Sequence, residues 1–134
     1  SLHDALPIWE NMALNGIEPK TNHLVQAHTF DFLKKAAREK QRFDLAVVDP
    51  PSYSTTQTRG MAFDIVQDHP RLLEAVVDLL RPGATLLFST NHQSFEPRMD
   101  GLKVSDAKEI TPSTIPEDYL NKRKTIHRCW RIKA

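Results

Sequence analysis

Five consecutive residues carry the densest chemistry in this sequence: Asp49-Pro50-Pro51-Ser52-Tyr53. The two prolines fix φ and remove two backbone N–H donors, so the segment is stiff and offers carbonyl oxygens and the Asp49 carboxylate as acceptors. Tyr53 adds a ring for stacking. A nucleobase turned out of its helix presents an amino group on a flat ring and suits both features. We interpret the segment as a base-binding loop; a rigid turn with an exposed aspartate is the alternative.

The residues before this loop predict where it lies. Residues 43–48 form a short, largely apolar run, which predicts a parallel strand covered on both faces. In an open α/β sheet, ligands collect beyond the carboxyl ends of the strands. The loop that begins at Asp49 should therefore lie at a binding edge.

Periodic segments on both sides of the loop predict an α/β fold. The predicted elements are a strand at 23–27, a helix at 30–40 capped by Thr29, the strand at 43–48, a helix at 68–80 with Pro70 in its first turn, a stop at Arg81-Pro82-Gly83, and a strand at 84–89. The apolar stripe of the second helix is Leu72, Leu73, Val76, Val77 and Leu80. Two more strands are predicted at 104–111 and 126–132. This alternation indicates a mostly parallel sheet flanked by helices.

Composition excludes several classes of protein. With 134 residues, 40% of them hydrophobic and 26% charged, the chain fits one globular domain. No apolar run approaches the roughly 18 residues of a membrane span, and the N-terminus lacks the order of a signal peptide, so we expect a cytoplasmic protein. The single cysteine, Cys129, has only His127 near it, so no metal site is expected. It is also far along the chain from Asp49, which disfavours thiolate attack on a pyrimidine ring.

The charge of the chain is divided unevenly. Residues 1–119 carry 12 Lys and Arg against 17 Asp and Glu, a net charge of −5, whereas residues 120–134 carry 6 against 0, a net charge of +6. Such a basic tail attracts phosphates, or it is simply a solvated edge. If the partner is a nucleic acid, the candidates for phosphate contact are Lys122, Arg123, Lys124 and Arg128.

Several segments together resemble one known family. They are Asn11-Met12-Ala13-Leu14-Asn15-Gly16, Phe30-Asp31-Phe32-Leu33, the run from Phe43 to Tyr53, Phe63-Asp64-Ile65-Val66-Gln67-Asp68-His69, Phe88-Ser89-Thr90-Asn91 and Ile126-His127-Arg128-Cys129-Trp130. The likeness is to class I methyltransferases that act on ribosomal RNA, especially the bacterial 23S rRNA guanine methyltransferases. It implies S-adenosylmethionine as cofactor and ribosomal RNA as partner. It also implies a partial Rossmann-like sheet with the third to seventh strands and without the first two.

The resemblance also implies roles for individual residues. Asp49, Pro50, Pro51 and Tyr53 would orient the target base, and Asp49 would also adjoin the cofactor. His28 stands where the family often has an acidic residue that holds the adenine, although a lone histidine at a strand end is more often an ordinary solvated side chain. Asn91 either lines the same cleft as Tyr53 or serves as a turn residue.

Two departures from the family pattern keep alternatives open. The glycine-rich loop that binds the cofactor has no counterpart among Gly16, Gly60, Gly83 and Gly101. Residues 1–9 fit no part of the pattern, so we expect an unrelated stub at 1–9 before a partial catalytic domain at 10–134, as in a truncated reading frame. The alternatives are an inactive fragment or RNA-binding module without cofactor, and a nucleotide-binding domain of another kind, which the absence of a phosphate-binding glycine loop disfavours.

Overall fold

A computed structural model of the protein describes residues 2–55, 62–92, 94–119 and 126–134. The helices in these ranges are α1 (Leu2–Leu14), α2 (Thr29–Arg38), α3 (Ile65–Val77) and α4 (Thr111–Thr114), and a 3-10 turn spans Glu117–Tyr119. The strands are β1 (Phe43–Val48), β2 (Tyr53–Thr55), β3 (Ala62–Asp64), β4 (Leu80–Thr90), β5 (Asp106–Glu109) and β6 (Arg128–Lys133). Strand β1 has the predicted bounds. Among the described helices, none is long and apolar enough to cross a membrane.

Four of the strands form one sheet in the order β1-β4-β6-β5. Strands β1 and β4 are parallel, whereas β6 runs antiparallel to both β4 and β5. Strands β2 and β3 form a separate antiparallel pair that follows the proline loop. The predicted α/β class is confirmed, but within the described residues the sheet is mixed rather than mostly parallel, because β6 is inserted antiparallel between β4 and β5.

The core lies between the sheet and helices α2 and α3. Leu86 and Phe88 of β4 face the same side as Ile132 and Trp130 of β6, their register partners, and all four are buried. Four residues of the predicted stripe are buried on α3: Leu72, Leu73, Val76 and Val77. The fifth, Leu80, is buried too but is the first residue of β4, so its place in the helix was predicted wrongly. Edge-to-face contacts join Phe95 to Phe88 and Trp130 at centroid distances of 5.8 and 5.5 Å. Burial of these large apolar groups is the main term that stabilises the described fold.

The ends of the helices differ from their predicted positions. Thr29 is the first residue of α2 rather than its cap, and the capping position belongs to His28, which makes no side-chain capping bond. Helix α3 begins at Ile65, three residues before the predicted start, because the Asp64 carboxylate accepts the Val66 N–H at 2.8 Å. It ends at Val77, so the predicted stop at residues 81–83 was wrong. Those residues lie inside β4, where Gly83 has φ 82°.

Two predicted strands also need correction. Residues 23–27 are not a strand, because a strand needs a neighbour for its backbone groups and, among the described residues, β1 pairs only with β4. The strand predicted at 104–111 is shorter, Asp106–Glu109, and Thr111 already begins α4. The last strand runs from Arg128 to Lys133, close to its predicted place.

Strand β1 is covered on one face only. Ala46 and Val48 pack against the core, whereas Leu45 and Val47 are 58% and 68% exposed. The prediction that both faces are covered was therefore wrong for the described residues. The physical reason is that α2 and α3 both contribute to the core on the Ala46 side. We name the opposite side of β1 and β4 the open face.

Candidate functional site

The site is built where two parallel strands end side by side. Because Val48 of β1 is in register with Phe88 of β4, Asp49 lies beside Ser89. The Ser89 hydroxyl donates a hydrogen bond to Asp49 Oδ1 at 2.7 Å. Two residues beyond Ser89, Asn91 Oδ1 accepts a hydrogen bond from the Ser52 hydroxyl. The proline loop is thus connected to the neighbouring strand at both of its ends.

A cleft of about 700 Å³ opens next to this loop. Its walls come from the start of α2, the end of β1 with the loop, and the first turns of α3. The lining residues are Ala27, His28, Thr29, Phe30, Val47, Val48, Asp49, Pro50, Pro51, Ala62, Phe63, Asp68, Arg71 and Leu72. The volume lies within the range of small-molecule and cofactor sites. A nucleoside-sized ligand is therefore an appropriate occupant.

The walls of the cleft combine flat rings with a few polar groups. The rings of His28 and Phe30 are 6.2 Å apart, and the Arg71 guanidinium carbon lies 3.9 Å from the centroid of Phe30. Asp49 contributes an exposed carboxylate at the opposite side. Apolar rings and a hydrogen-bond acceptor in one cleft suit a planar heterocycle with an amino group. The structure thus places His28, Asp49, Pro50 and Pro51 in the lining of one cleft, and their roles there stay predictions.

Tyr53 is placed differently. It lies on β2, opposite Asp64 of β3, and its side chain is 61% exposed and does not line the cleft. Asn91 lies at the tip of β4, where it bonds Ser52. The stacking role of Tyr53 and the substrate contact of Asn91 stay predictions.

The basic candidates divide into two groups. Lys122, Arg123 and Lys124 lie outside the described residues. Arg128 donates from Nε and Nη2 to the Glu109 carboxylate, both at 2.9 Å, and from Nη1 to the Phe95 carbonyl. The bond to Glu109 raises the pKa of Arg128 and, together with the Thr111 hydroxyl, lowers the pKa of Glu109. These contacts give Arg128 a structural task, and its contact with phosphate stays a prediction.

The cleft also contains residues that were not predicted as site residues from the sequence, among them Phe63, Asp68 and Arg71. Asp68 and Arg71 are three positions apart on α3 and therefore share one face of the helix. That face differs from the buried stripe of α3. The spacing of the two charged residues could therefore have indicated from the sequence that they share a face away from the core. Cys129 is buried, and its pKa is raised by burial and further by the Asp49 carboxylate, in agreement with an unreactive thiol.

Comparisons with known proteins concern the sequence and the fold of the chain. No family model matches the sequence. The chain is 41% identical over 126 residues to ribosomal RNA large subunit methyltransferase K of Neisseria meningitidis. The alignment covers 92% of this chain and 34% of that protein. The chain therefore spans about a third of the length of that curated relative.

Solved structures share the fold. A Streptococcus mutans protein assigned as a SAM-dependent methyltransferase matches with a TM-score of 0.58 and 20% identity, over 91% of this chain and 35% of that one. A protein assigned as a methyltransferase and solved with SAH matches with a TM-score of 0.58 and 19% identity, over 87% and 34%. At these identities the likeness concerns the fold alone. In sequence and in fold, this chain is thus similar to about a third of an rRNA methyltransferase and of SAM-dependent methyltransferases.

Proposed function

We propose that this chain is part of a cytoplasmic enzyme that transfers a methyl group from S-adenosylmethionine to ribosomal RNA, with a guanine of 23S rRNA as the target base. The observation that carries the proposal is the proline loop at the carboxyl end of β1, with its acceptor groups beside a cleft of nucleoside size. The relative from Neisseria is named as a methyltransferase of the large ribosomal RNA. It supports the substrate class.

The cleft fits the nucleoside end of the cofactor. His28 and Phe30 offer rings to an adenine, and Asp49 and the proline carbonyls offer acceptors to polar hydrogens. When bound, S-adenosylmethionine supplies an electrophilic methyl group. The residues of this chain hold the adenine of the cofactor, and the rings of His28 and Phe30 exclude water from one side of it.

The proline loop orients the base. An exocyclic amine has its lone pair delocalised into the ring, so acceptance of its hydrogens by Asp49 and a proline carbonyl directs the nitrogen toward the methyl donor. For a ring nitrogen such as guanine N7, orientation alone is enough. Tyr53, on the separate β2-β3 pair, and Asn91, just beyond β4, contact the base, and Lys122, Arg123 and Lys124 contact phosphates of the RNA.

A second candidate function rests on the glycines of this sequence. Its four glycines do not form a G-x-G motif. A chain of this kind would act as an RNA-binding module, or as an inactive fragment, without cofactor. Activity and cofactor affinity separate this candidate from the first.

The decisive experiment places this chain in a chimera. The aligned third of the Neisseria methyltransferase K is replaced by the matching residues of this chain, and methyl transfer to 23S rRNA is measured. Asp49→Ala should lower kcat by about 100-fold, because one transition-state acceptor is lost, while S-adenosylmethionine affinity changes by less than about threefold.

Asp100→Ala is the matched control, since Asp100 is an exposed aspartate in a turn far along the chain from the loop. It should leave kcat and cofactor affinity unchanged. If the chimera methylates RNA and Asp49→Ala behaves like Asp100→Ala, the loop does not orient the base. If the chimera binds RNA but transfers no methyl group, the RNA-binding module is the better assignment.

A further inference from the structure

The hydrogen bond between Ser89 and Asp49 joins two residues that are 40 positions apart in the sequence. Neither the loop nor the strand requires it locally. It exists because β1 and β4 are parallel neighbours that end at the same level, with Val48 and Phe88 in register. The contact is therefore a product of the sheet, and it acts on the carboxylate that the proposed function places against the target base.

Asp49, Ser89 and Cys129 form one row across three strands. Ser89 is the register partner of Cys129 in β6, and Asp49 follows Val48 beside Ser89. The row lies on the side of the sheet opposite Phe88, because neighbouring residues of a strand point to opposite faces. Cys129 is buried, and Asp49 acts on its thiol electrostatically. The Asp49 carboxylate is thus near the Cys129 thiol.

An exposed aspartate ordinarily rotates about two side-chain bonds. Proline at position 50 restricts the backbone of Asp49 but leaves these rotations free. The Ser89 hydroxyl removes that freedom, because it holds Oδ1 at 2.7 Å. No other donor to the Asp49 carboxylate is seen in the part of the chain that the structure describes. Oδ2 therefore stays available to a ligand while Oδ1 serves as the anchor.

We infer that Ser89 is a positioning residue, whose hydroxyl fixes the Asp49 carboxylate so that its second oxygen is presented to the amino group of the target base. The inference rests on the proposed function for the role of Asp49 toward the base, whereas the hydrogen bond from Ser89 to Asp49 does not depend on that function. The bond from Ser52 to Asn91 fixes the other end of the loop in the same way. Preorganisation of this kind raises the rate of the chemical step more than it raises affinity.

The first test uses the 134-residue chain and its single cysteine as an electrostatic probe. Cysteine labelled with 13C at Cβ reports the ionisation of the Cys129 thiol by NMR. If Ser89 holds Asp49 near the thiol, Ser89→Ala releases the carboxylate and lowers the midpoint of thiol ionisation, as Asp49→Asn does. Ser89→Thr retains a hydroxyl and keeps the wild-type midpoint.

The variants distinguish this effect from simple loss of a hydroxyl. Removal of a polar group beside a buried thiol increases desolvation and raises the pKa of the thiol, which is the opposite direction. In an Asp49→Asn background, Ser89→Ala should not lower the midpoint further. Thr85→Val is the matched control, because Thr85 lies on the same strand and face, four residues away. It should leave the midpoint where it is.

Two results would overturn the inference. In the first, Asp49→Asn lowers the midpoint of thiol ionisation, but Ser89→Ala leaves it unchanged or raises it. In the second, Asp49→Asn itself does not change the midpoint. Because Asp49 is exposed, this variant keeps the fold, and it tests the effect of Asp49 on the Cys129 thiol without any change at Ser89.

The second test measures kinetics in the same chimera with the Neisseria enzyme. Ser89→Ala should lower kcat about tenfold and change KM for RNA and cofactor by less than about twofold, and Ser89→Thr should restore kcat. If Asp49→Ala lowers kcat but Ser89→Ala does not, the positioning role is wrong and the proposed function stands. If Asp49→Ala has no effect on kcat while the thiol midpoints shift as expected, the proposed function is wrong and the anchoring geometry stands.

Discussion

At the scale of single residues, His69 is a titratable group that the fold encloses completely. It is fully buried, its Nδ1 lies 2.6 Å from the Ile65 carbonyl, and its Nε2 accepts the Arg98 N–H at 2.8 Å. The neutral imidazole with its proton on Nδ1 satisfies both partners. A second proton on Nε2 would face a donor. Burial, with a smaller contribution from the Arg98 charge, lowers the pKa of His69.

This lowered pKa predicts a loss of stability in mild acid. Below the ordinary pKa of about 6.5 the unfolded chain takes up a proton that the folded chain refuses, so the free energy of unfolding falls as the pH drops. Urea denaturation at pH 7.5 and 5.5 should show that His69 accounts for about 1 kcal/mol of the decrease. His69→Gln should remove this part, whereas His23→Gln, at an exposed position, should not. Equal slopes in wild type and His69→Gln would refute the assignment.

At the scale of elements, helix α3 tolerates a proline in its sixth position. Pro70 has no N–H, so the Val66 carbonyl one turn earlier lacks its helical partner. The Arg98 guanidinium supplies the missing donor, because Nη2 lies 2.8 Å from the Val66 carbonyl and 3.3 Å from that of Gln67. Arg98, which follows β4, thus supplies a hydrogen-bond donor that helix α3 lacks at Pro70.

This repair predicts coupling between Arg98 and Pro70. Arg98→Ala should lower the free energy of unfolding by about 1 kcal/mol, because a carbonyl loses its charged donor. In a Pro70→Ala background the helix provides its own donor, and the same change should cost less than half as much. Urea denaturation of the four proteins gives the coupling energy, with Arg38→Ala on α2 as the control. Additive effects of the two changes would exclude the compensation.

At the scale of the whole molecule, the open face sets the behaviour in solution. Leu45 and Val47 are exposed on it, and β1 offers unpaired backbone groups along its outer edge in the described part of the sheet. Exposed apolar side chains next to a free strand edge favour contact with another chain. Arg131 of β6 is the register partner of Leu87, so it places a positive charge on the same face.

We therefore expect the isolated chain to self-associate through the open face. Val47→Lys should shift the weight-average mass toward the monomer in sedimentation velocity at tens of micromolar, because it places a charge at the most exposed apolar position of β1. Val25→Lys is the matched control, since Val25 is a 61% exposed valine outside the sheet. If both variants associate as the parent does, another surface is responsible.

Local patterns in the sequence by themselves determined much of this protein. The bounds of β1, the buried stripe of α3 and the place of the proline loop follow from periodicity and composition within short windows, because each concerns neighbours in the sequence. Tertiary structure decided the rest. Residues 23–27 have strand composition but no strand neighbour among the described residues, and Leu45 is exposed because both helices pack on the other face. The partners of Asp49, Val66 and Arg128 are 40, 32 and 19 positions away, and only the pairing of strands and the path of the chain bring them into contact.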